Sequence, residues 1–232
     1  MGFYYFYDYS YFLFMFPALI ISLYAQYKVS STFKKYSKVR NLRNITGAEA
    51  ARRVLFNSGI NDVKIERVSG NLTDHFDPRT KVIRLSDSVY NSTSVSAVGV
   101  AAHEAGHAVQ YEVGYAPIKI RGALIPVTQF GSTVSIPLLI IGLLFPAYGW
   151  LVTAGIILFS FSVLFQLVTL PVEFNASRRA IEILDKTGLL YDEELKGARK
   201  VLSAAALTYL AAMITAVLTL LRLIFIFGRR ND

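Results

Sequence analysis

Long apolar segments alternate along this chain with shorter polar segments. Four of the apolar segments approach the roughly 20 residues that a helix needs to cross the hydrocarbon core of a bilayer. They cover residues 11–27, 124–145, 150–170 and 204–227. Only Pro-Ala-Tyr-Gly (146–149) separates the second from the third, which predicts a helical hairpin. The pattern therefore predicts a mostly α-helical, multi-pass membrane protein with about four transmembrane helices.

The polar stretch after the first apolar segment carries shorter periodic patterns. Residues 46–58 place apolar side chains at helical spacing behind Thr46, which can cap a helix. Residues 63–69 and 81–86 alternate between polar and apolar side chains, as half-buried strands do. We therefore expect a small α+β part between the first two spans.

Basic residues concentrate in two of the polar stretches, and this asymmetry indicates how the chain crosses a membrane. No Lys or Arg precedes the first span, whereas the stretches before the second and fourth spans are strongly basic. By the positive-inside rule, both stretches are cytoplasmic and the N-terminus lies outside. The residues that support this orientation are Lys28, Lys34, Lys35, Lys38, Arg40, Arg43, Arg52, Arg53, Arg178, Arg179, Lys186, Lys196, Arg199 and Lys200.

One feature opposes this orientation, because a fourth span would carry Arg229 and Arg230 of the tail to the outside. The alternative is that the fourth segment is a re-entrant or peripheral helix. No basic residue precedes the first apolar segment and no small-residue cleavage site follows it, so we expect a membrane span there rather than a cleaved signal peptide. An aromatic cluster before it suits a membrane interface. We expect a multi-pass protein of a prokaryotic cytoplasmic membrane, with its site facing the cytoplasm.

The domain organisation follows from these spans. We assign five parts: a first transmembrane helix (1–27), a cytoplasmic α+β part (28–122), a transmembrane hairpin (123–171), a second cytoplasmic segment (172–203), and a last transmembrane helix with its tail (204–232).

Composition restricts the partners and the chemistry. The 232 residues are 53% hydrophobic, too apolar for an ordinary soluble domain, and carry a formal charge of +8. Because the basic residues lie between apolar segments, membrane orientation and anionic lipid headgroups explain them better than nucleic acid does. We therefore expect a lipid bilayer as partner and no nucleic acid. The chain has no cysteine, so any metal must be held by nitrogen and oxygen atoms.

The chemistry concentrates in His-Glu-Ala-Gly-His, within a predicted helix over residues 95–110. Residues four apart share one face of a helix, so His103 and His107 can bind the same ion. Glu104 is placed to take a proton from the attacking water and return it to the leaving amine. Small apolar flanking residues indicate a buried helix, where unpaired polar side chains are costly. This favours one zinc ion over two histidines on a solvated face.

A zinc site of this kind needs a third protein ligand and one open position. His75 is the only other histidine. Among carboxylates the best candidate is Glu173, two residues after Pro171 at the cytoplasmic end of the third span. A hairpin of spans two and three would return Glu173 to the membrane face from which the His-Glu-Ala-Gly-His helix departs.

His75 lies between Asp74 and Asp77 and has three interpretations. It is a turn histidine, a group that donates to the oxyanion of the tetrahedral intermediate, or an alternative third ligand. Its extended neighbours also predict a sheet edge against which a peptide substrate can lie as an added strand.

Three stretches, residues 72–86, 94–110 and 169–180, together resemble the YugP-type membrane zinc metallopeptidases (neutral zinc metallopeptidase type 2). The arrangement is also similar, more loosely, to integral-membrane gluzincins, which have a zincin-like fold with an edge strand before the metal-binding helix. The resemblance implies a peptidase in which His103 and His107 are ligands, Glu104 is the general base and Glu173 is the third ligand. The substrate would be a membrane-proximal or misfolded polypeptide, and the peptidase would act in protein quality control.

The chain departs from those gluzincins at Ser177, where they have an aspartate four residues after the glutamate ligand. Asn175, Ser177 or Arg178 could support the site instead, and Arg178 could also stabilise the oxyanion.

Two other functional classes stay open. One is an inactive zinc-binding scaffold or chaperone; the other is a metal transporter, which the absence of ionisable residues from the middle of the apolar segments disfavours. No pattern indicates the oligomeric state.

Overall fold

The computed structural model describes residues 9–227. The aromatic N-terminus and the tail with Arg229 and Arg230 lie outside the described residues, so those two predictions stay untested. The helices and strands, in chain order, are α1 (Phe16–Tyr36, after a π-helical turn at Tyr11–Met15), α2 (Gly47–Asn57), β1 (Lys64–Val68), β2 (His75–Asp77), β3 (Val82–Ser86), α3 (Val95–Glu112), α4 (Ala116–Leu144), α5 (Trp150–Lys186) and α6 (Asp192–Phe227).

Four of these helices, α1, α4, α5 and α6, are long and apolar enough to cross a membrane. Each overlaps one of the predicted spans and runs past it, and α4 begins at Ala116 rather than at 124. Helix α1 continues to Tyr36, α5 continues to Lys186, and α6 begins at Asp192. An apolar segment in the sequence ends where the hydrocarbon core of a membrane could end. The helix continues beyond it because its side chains pack against the core of the protein.

The chain divides into two compact units, which we call the apolar unit and the polar unit. The apolar unit comprises residues up to Tyr24, Ile120–Thr169 and Tyr209 onward. The polar unit comprises Ala25–Lys119 and Leu170–Thr208.

The predicted helical hairpin is present in the apolar unit. Helices α4 and α5 are joined by a 3₁₀ turn at Pro146–Tyr148. The two helices approach closely at glycines: a Cβ on Gly131 would lie 2.8 Å from the carbonyl oxygen of Leu158, and one on Gly155 would lie 3.0 Å from that of Ser135. Small residues at these positions therefore let the two backbones pack together.

Two predicted helix starts in the polar unit are confirmed. The Thr46 hydroxyl accepts a hydrogen bond from the Glu49 N–H (3.2 Å) at the start of α2. The Ser94 hydroxyl does the same for the Ala97 N–H (3.2 Å) at the start of α3. These short polar side chains satisfy N–H groups that have no partner within the helix.

The small sheet has the order β1–β3–β2. Strand β1 runs parallel to β3, with Ile65 opposite Ile83, and β2 runs antiparallel, with Phe76 opposite the same residue. The two predicted strands are confirmed with slightly shorter ends. Strand β2 lies at the sheet edge expected beside His75, but its bounds were not predicted, because three residues are too few to show alternation. It forms one edge of the sheet and packs on α3, where the rings of Phe76 and Tyr111 lie 5.6 Å apart.

Helix α3 forms the centre of the polar unit. Fourteen of its residues are buried, and the apolar ones share one core with α2, β3, the second half of α5 and the start of α6. Representative core residues are Val54, Ile83, Val98, Leu184 and Leu202. A polar group on α3 therefore lies inside the protein, so what surrounds it decides its function.

Candidate metal centre

Two side chains of α3 and one side chain of α5, about 70 residues further along the chain, come together between these helices. The ligand atoms of His103, His107 and Glu173 all lie within 4.8 Å of one another. Glu173 is 1% exposed, and its Oε2 lies 3.2 Å from Nε2 of His103 and 3.6 Å from Nε2 of His107. Among the residues that the structure describes, His75 does not belong to this cluster.

The spacing of these atoms suits a zinc ion. With bonds of about 2.0–2.1 Å to nitrogen and oxygen, neighbouring ligands of a tetrahedral ion lie about 3.3–3.4 Å apart. The two observed distances from the Glu173 oxygen, 3.2 and 3.6 Å, bracket this value. The donor set of two imidazoles and one carboxylate is also one that catalytic zinc sites use, with one position left open. The residues present therefore fit one zinc ion.

A glycine inside the motif allows α3 and α5 to approach. A Cβ on Gly106 would lie 2.6 Å from the carbonyl oxygen of Ala176, a distance that no side chain tolerates. Ala176 lies one turn after Glu173 on α5, so this contact fixes the depth at which the carboxylate meets the histidines. Sequence analysis did not single out Gly106, because its reason is a contact with a distant helix.

Glu104 lies next to this cluster and is buried. Within residues 9–227 its carboxylate makes no hydrogen bond or ion pair, although its charge acts on the neighbouring His107. An acceptor left free beside three potential metal ligands is the arrangement that a general base requires.

Each histidine has a polar partner on its outer nitrogen. Nδ1 of His103 lies 3.0 Å from the Ser177 hydroxyl, so the residue that departs from the gluzincin pattern contacts this ring. Nδ1 of His107 lies 3.0 Å from Oε1 of Gln110. Gln110 was not predicted, although its position three residues after His107 places both on one helix face. Such partners orient metal-binding imidazoles.

The electrostatics of His107 favour a positive charge at the cluster. Burial works to lower the pKa of its ring, but the hydrogen bond and the charge of Glu173 outweigh burial and raise that pKa. A metal cation bound here would take the place of that positive charge, and the buried carboxylate would offset part of the charge of the ion.

The other predicted site residues lie elsewhere. His75 is exposed on the edge strand β2, where its Nδ1 lies 2.9 Å from the Thr73 carbonyl oxygen. Arg178 is exposed on α5, with its Nε 3.9 Å from the Glu182 carboxylate. Neither contact involves the cluster, so their roles in stabilising an oxyanion stay predictions.

Comparison with known proteins identifies the family of this chain. The family model described as "Putative neutral zinc metallopeptidase" matches residues 11–228. The chain is 49% identical over 215 residues to a protein of Bacillus subtilis (strain 168) named "Putative membrane protease YugP", covering 93% of this chain and 95% of that protein. No solved structure matches. Because the match extends over nearly the whole chain, this protein belongs to the neutral zinc metallopeptidase family.

Proposed function

We propose that this protein is a membrane-embedded zinc metalloendopeptidase in which His103, His107 and Glu173 hold one zinc ion. The observation that carries the proposal is the buried carboxylate of Glu173, which lies within 3.6 Å of both histidine rings although about 70 residues separate it from them. Two imidazoles and one carboxylate whose ligand atoms all lie within 4.8 Å of one another form a donor set that catalytic zinc sites use, which supports a metal site over a chance contact.

The chemistry divides between the ion and the chain. When bound, zinc supplies Lewis acidity, which makes water a nucleophile near neutral pH and polarises a peptide carbonyl. Glu104 accepts the proton of the attacking water and delivers it to the departing amine. The free acceptor atoms of its carboxylate and its place beside His103 support this role. The apolar residues that pack around α3 exclude bulk water, which strengthens these interactions.

We propose that an extended peptide substrate binds along the edge of the sheet. Strand β2 pairs only with β3 in the described sheet, and it lies against α3 through Phe76 and Tyr111. A peptide added along this edge would run beside the metal-binding helix. His75 lies on the same edge, with the proton of its Nδ1 donated to the Thr73 carbonyl. Its Nε2 therefore donates to an oxyanion only when the ring is doubly protonated.

The substrates we propose are membrane-proximal or misfolded proteins on the cytoplasmic side of a prokaryotic membrane. Support comes from the four helices that are long and apolar enough to span and from the basic residues around the polar unit. Because the chain has no cysteine, single cysteines can report the orientation. An impermeant thiol reagent applied to intact cells should label Ala147→Cys and spare Asn57→Cys. The reverse pattern would contradict this orientation.

The decisive experiment compares Glu104→Gln with wild type as full-length, detergent-solubilised protein. We expect the variant to retain zinc but to lose cleavage of casein and of a membrane-protein substrate by at least 10²-fold, the effect of removing a general base. Glu112→Gln is the matched control, since Glu112 is exposed at the end of the same helix. Equal inertness of the zinc-loaded wild type and the variant would refute the protease and indicate a zinc-binding scaffold or chaperone.

A further inference from the structure

Gln110 is the most completely enclosed polar side chain near the cluster. It is 0% exposed and uses both ends of its amide. Its Oε1 lies 3.0 Å from Nδ1 of His107, and its Nε2 donates to the Val172 carbonyl (2.8 Å) and to Oδ1 of Asn175 (3.0 Å). A buried amide with all its contacts defined in this way has a single orientation.

The direction of each hydrogen bond is fixed by the two groups at the far end of the network. A backbone carbonyl such as that of Val172 only accepts, so the amide NH₂ of Gln110 must face it. Nε of Arg179 only donates, and it lies 2.8 Å from Oδ1 of Asn175, so this oxygen also faces Gln110 as an acceptor. Oε1 of Gln110 therefore faces His107, and the Nδ1 atom of His107 must carry a proton.

We infer that Gln110 is a positioning residue for the metal: it keeps a proton of His107 on Nδ1, so that Nε2, the nitrogen on the side of Glu173, is the one that can be free to bind the ion. This inference rests on the proposed role of His107 as a zinc ligand. Imidazole binds metal through an unprotonated nitrogen, so the wrong tautomer would have to rearrange before binding.

The tautomer of His103, the other histidine of the cluster, is not fixed in this way. The partner of Nδ1 in His103 is the Ser177 hydroxyl, which can donate or accept. Ser177 therefore permits either tautomer of His103, whereas Gln110 permits one tautomer of His107. The two rings of the motif differ in how far their protonation is set before an ion arrives.

Gln110 also connects the ring to the backbone that carries the third ligand. Val172, whose carbonyl it binds, immediately precedes Glu173 on α5. The same side chain thus orients one ligand and holds the helix that presents another. These two contributions, to the tautomer and to the attachment of the helix, make different predictions for substitutions.

The direct test is ¹⁵N NMR of the full-length protein labelled at histidine. The chain has three histidines, so only three sets of imidazole signals are expected. We expect Nδ1 of His107 to be protonated in both the metal-free and the zinc-loaded protein, because the neutral tautomer and the cationic ring both keep this proton. A His107 ring with an unprotonated Nδ1 in wild type would overturn the inference, and this result requires no variant to fold.

Two substitutions separate the tautomer from the attachment of the helix. Gln110→Met removes the acceptor and both donors, whereas Gln110→Glu keeps an acceptor for His107 and loses the donors to α5. We expect Gln110→Met to weaken zinc binding by about 10- to 100-fold in competition with a chelating dye, and to lose the single His107 tautomer. Gln110→Glu should keep the tautomer and bind zinc more tightly than Gln110→Met. Gln26→Met, at an exposed position on α1, is the control.

The outcomes also distinguish this inference from the proposed function. A folded Gln110→Met protein with wild-type zinc affinity would overturn the positioning role and leave the protease proposal intact. Zinc binding by Gln110→Glu that is equal to or weaker than that by Gln110→Met would assign Gln110 to helix attachment and likewise overturn the inference. A wild type that binds zinc with Nδ1 of His107 protonated but cleaves no polypeptide would refute the protease and leave the positioning role standing.

Discussion

Replacing Gly106 by alanine tests whether the close approach of α3 and α5 is what brings Glu173 to the histidines. The added Cβ would lie 2.6 Å from the carbonyl oxygen of Ala176. Carbon–oxygen contacts need about 3.3–3.6 Å, so the helices must separate by about 0.7–1.0 Å. The Glu173 carboxylate moves with α5, and its 3.2 and 3.6 Å distances to the two rings would both exceed the edge of a zinc tetrahedron.

The energetic estimate has two opposing contributions. Overpacking a core contact costs about 1–3 kcal/mol, whereas alanine gains up to about 1 kcal/mol over glycine in a helix. We therefore expect Gly106→Ala to lower the free energy of unfolding by about 1–2 kcal/mol. Gly99→Ala is the matched control on the same helix, because its Cβ would lie 3.4 Å from the Ala198 Cβ, an ordinary contact. Its effect should be neutral or stabilising by up to about 1 kcal/mol.

The assay measures thermal unfolding and zinc affinity of both variants in the same detergent. Gly106→Ala should melt below wild type and bind zinc about 10- to 100-fold more weakly, while Gly99→Ala should match wild type in zinc binding. Equal melting temperatures and equal zinc affinities for the two variants would refute the reasoning. The close approach at Gly106 would then not determine the geometry of the cluster.

Three further predictions follow from single contacts. Ser177→Ala, which removes the partner of His103, should raise the zinc Kd about 10-fold in a chelator competition. Zinc at 100 times its Kd should stabilise wild type by about 2.7 kcal/mol in thermal unfolding, and Glu173→Gln should abolish this gain. The hydrogen bond from Thr80 is the main cause that lowers the pKa of Asp77 to about 2, from 3.8. The stability that Asp77 adds relative to Asp77→Asn should thus be complete above about pH 4 and vanish, in acid titrations, as the pH falls through about 2.

Local patterns in the sequence were sufficient for the elements around the cluster. Thr46 and Ser94 mark helix starts because a side-chain oxygen satisfies N–H groups within three residues. The spacing of His103 and His107 places both on one face of α3 for the same local reason. Glu173 required one non-local step, that a hairpin returns to the face it left, and the structure brings it to both histidines.

The rest depends on contacts between distant segments, which the sequence does not display. Strand β2 exists because β3 pairs with it, and three residues alone show no period. Gly106 is required by the Ala176 carbonyl, 70 residues further along the chain. Gln110 did have a local signal, its position one turn after His107, but its meaning came from the Val172 carbonyl on α5. Tertiary packing therefore determines which polar residues support the cluster.

The metal content of purified wild type, Glu173→Ala and His75→Ala tests the central claim most directly, with thermal unfolding to verify that each protein is folded. The account predicts one zinc per chain in wild type and in His75→Ala, and none in Glu173→Ala. Zinc retained by Glu173→Ala, or lost from His75→Ala, would contradict it. Either result would mean that the ion is not held between α3 and the returning helix of the hairpin.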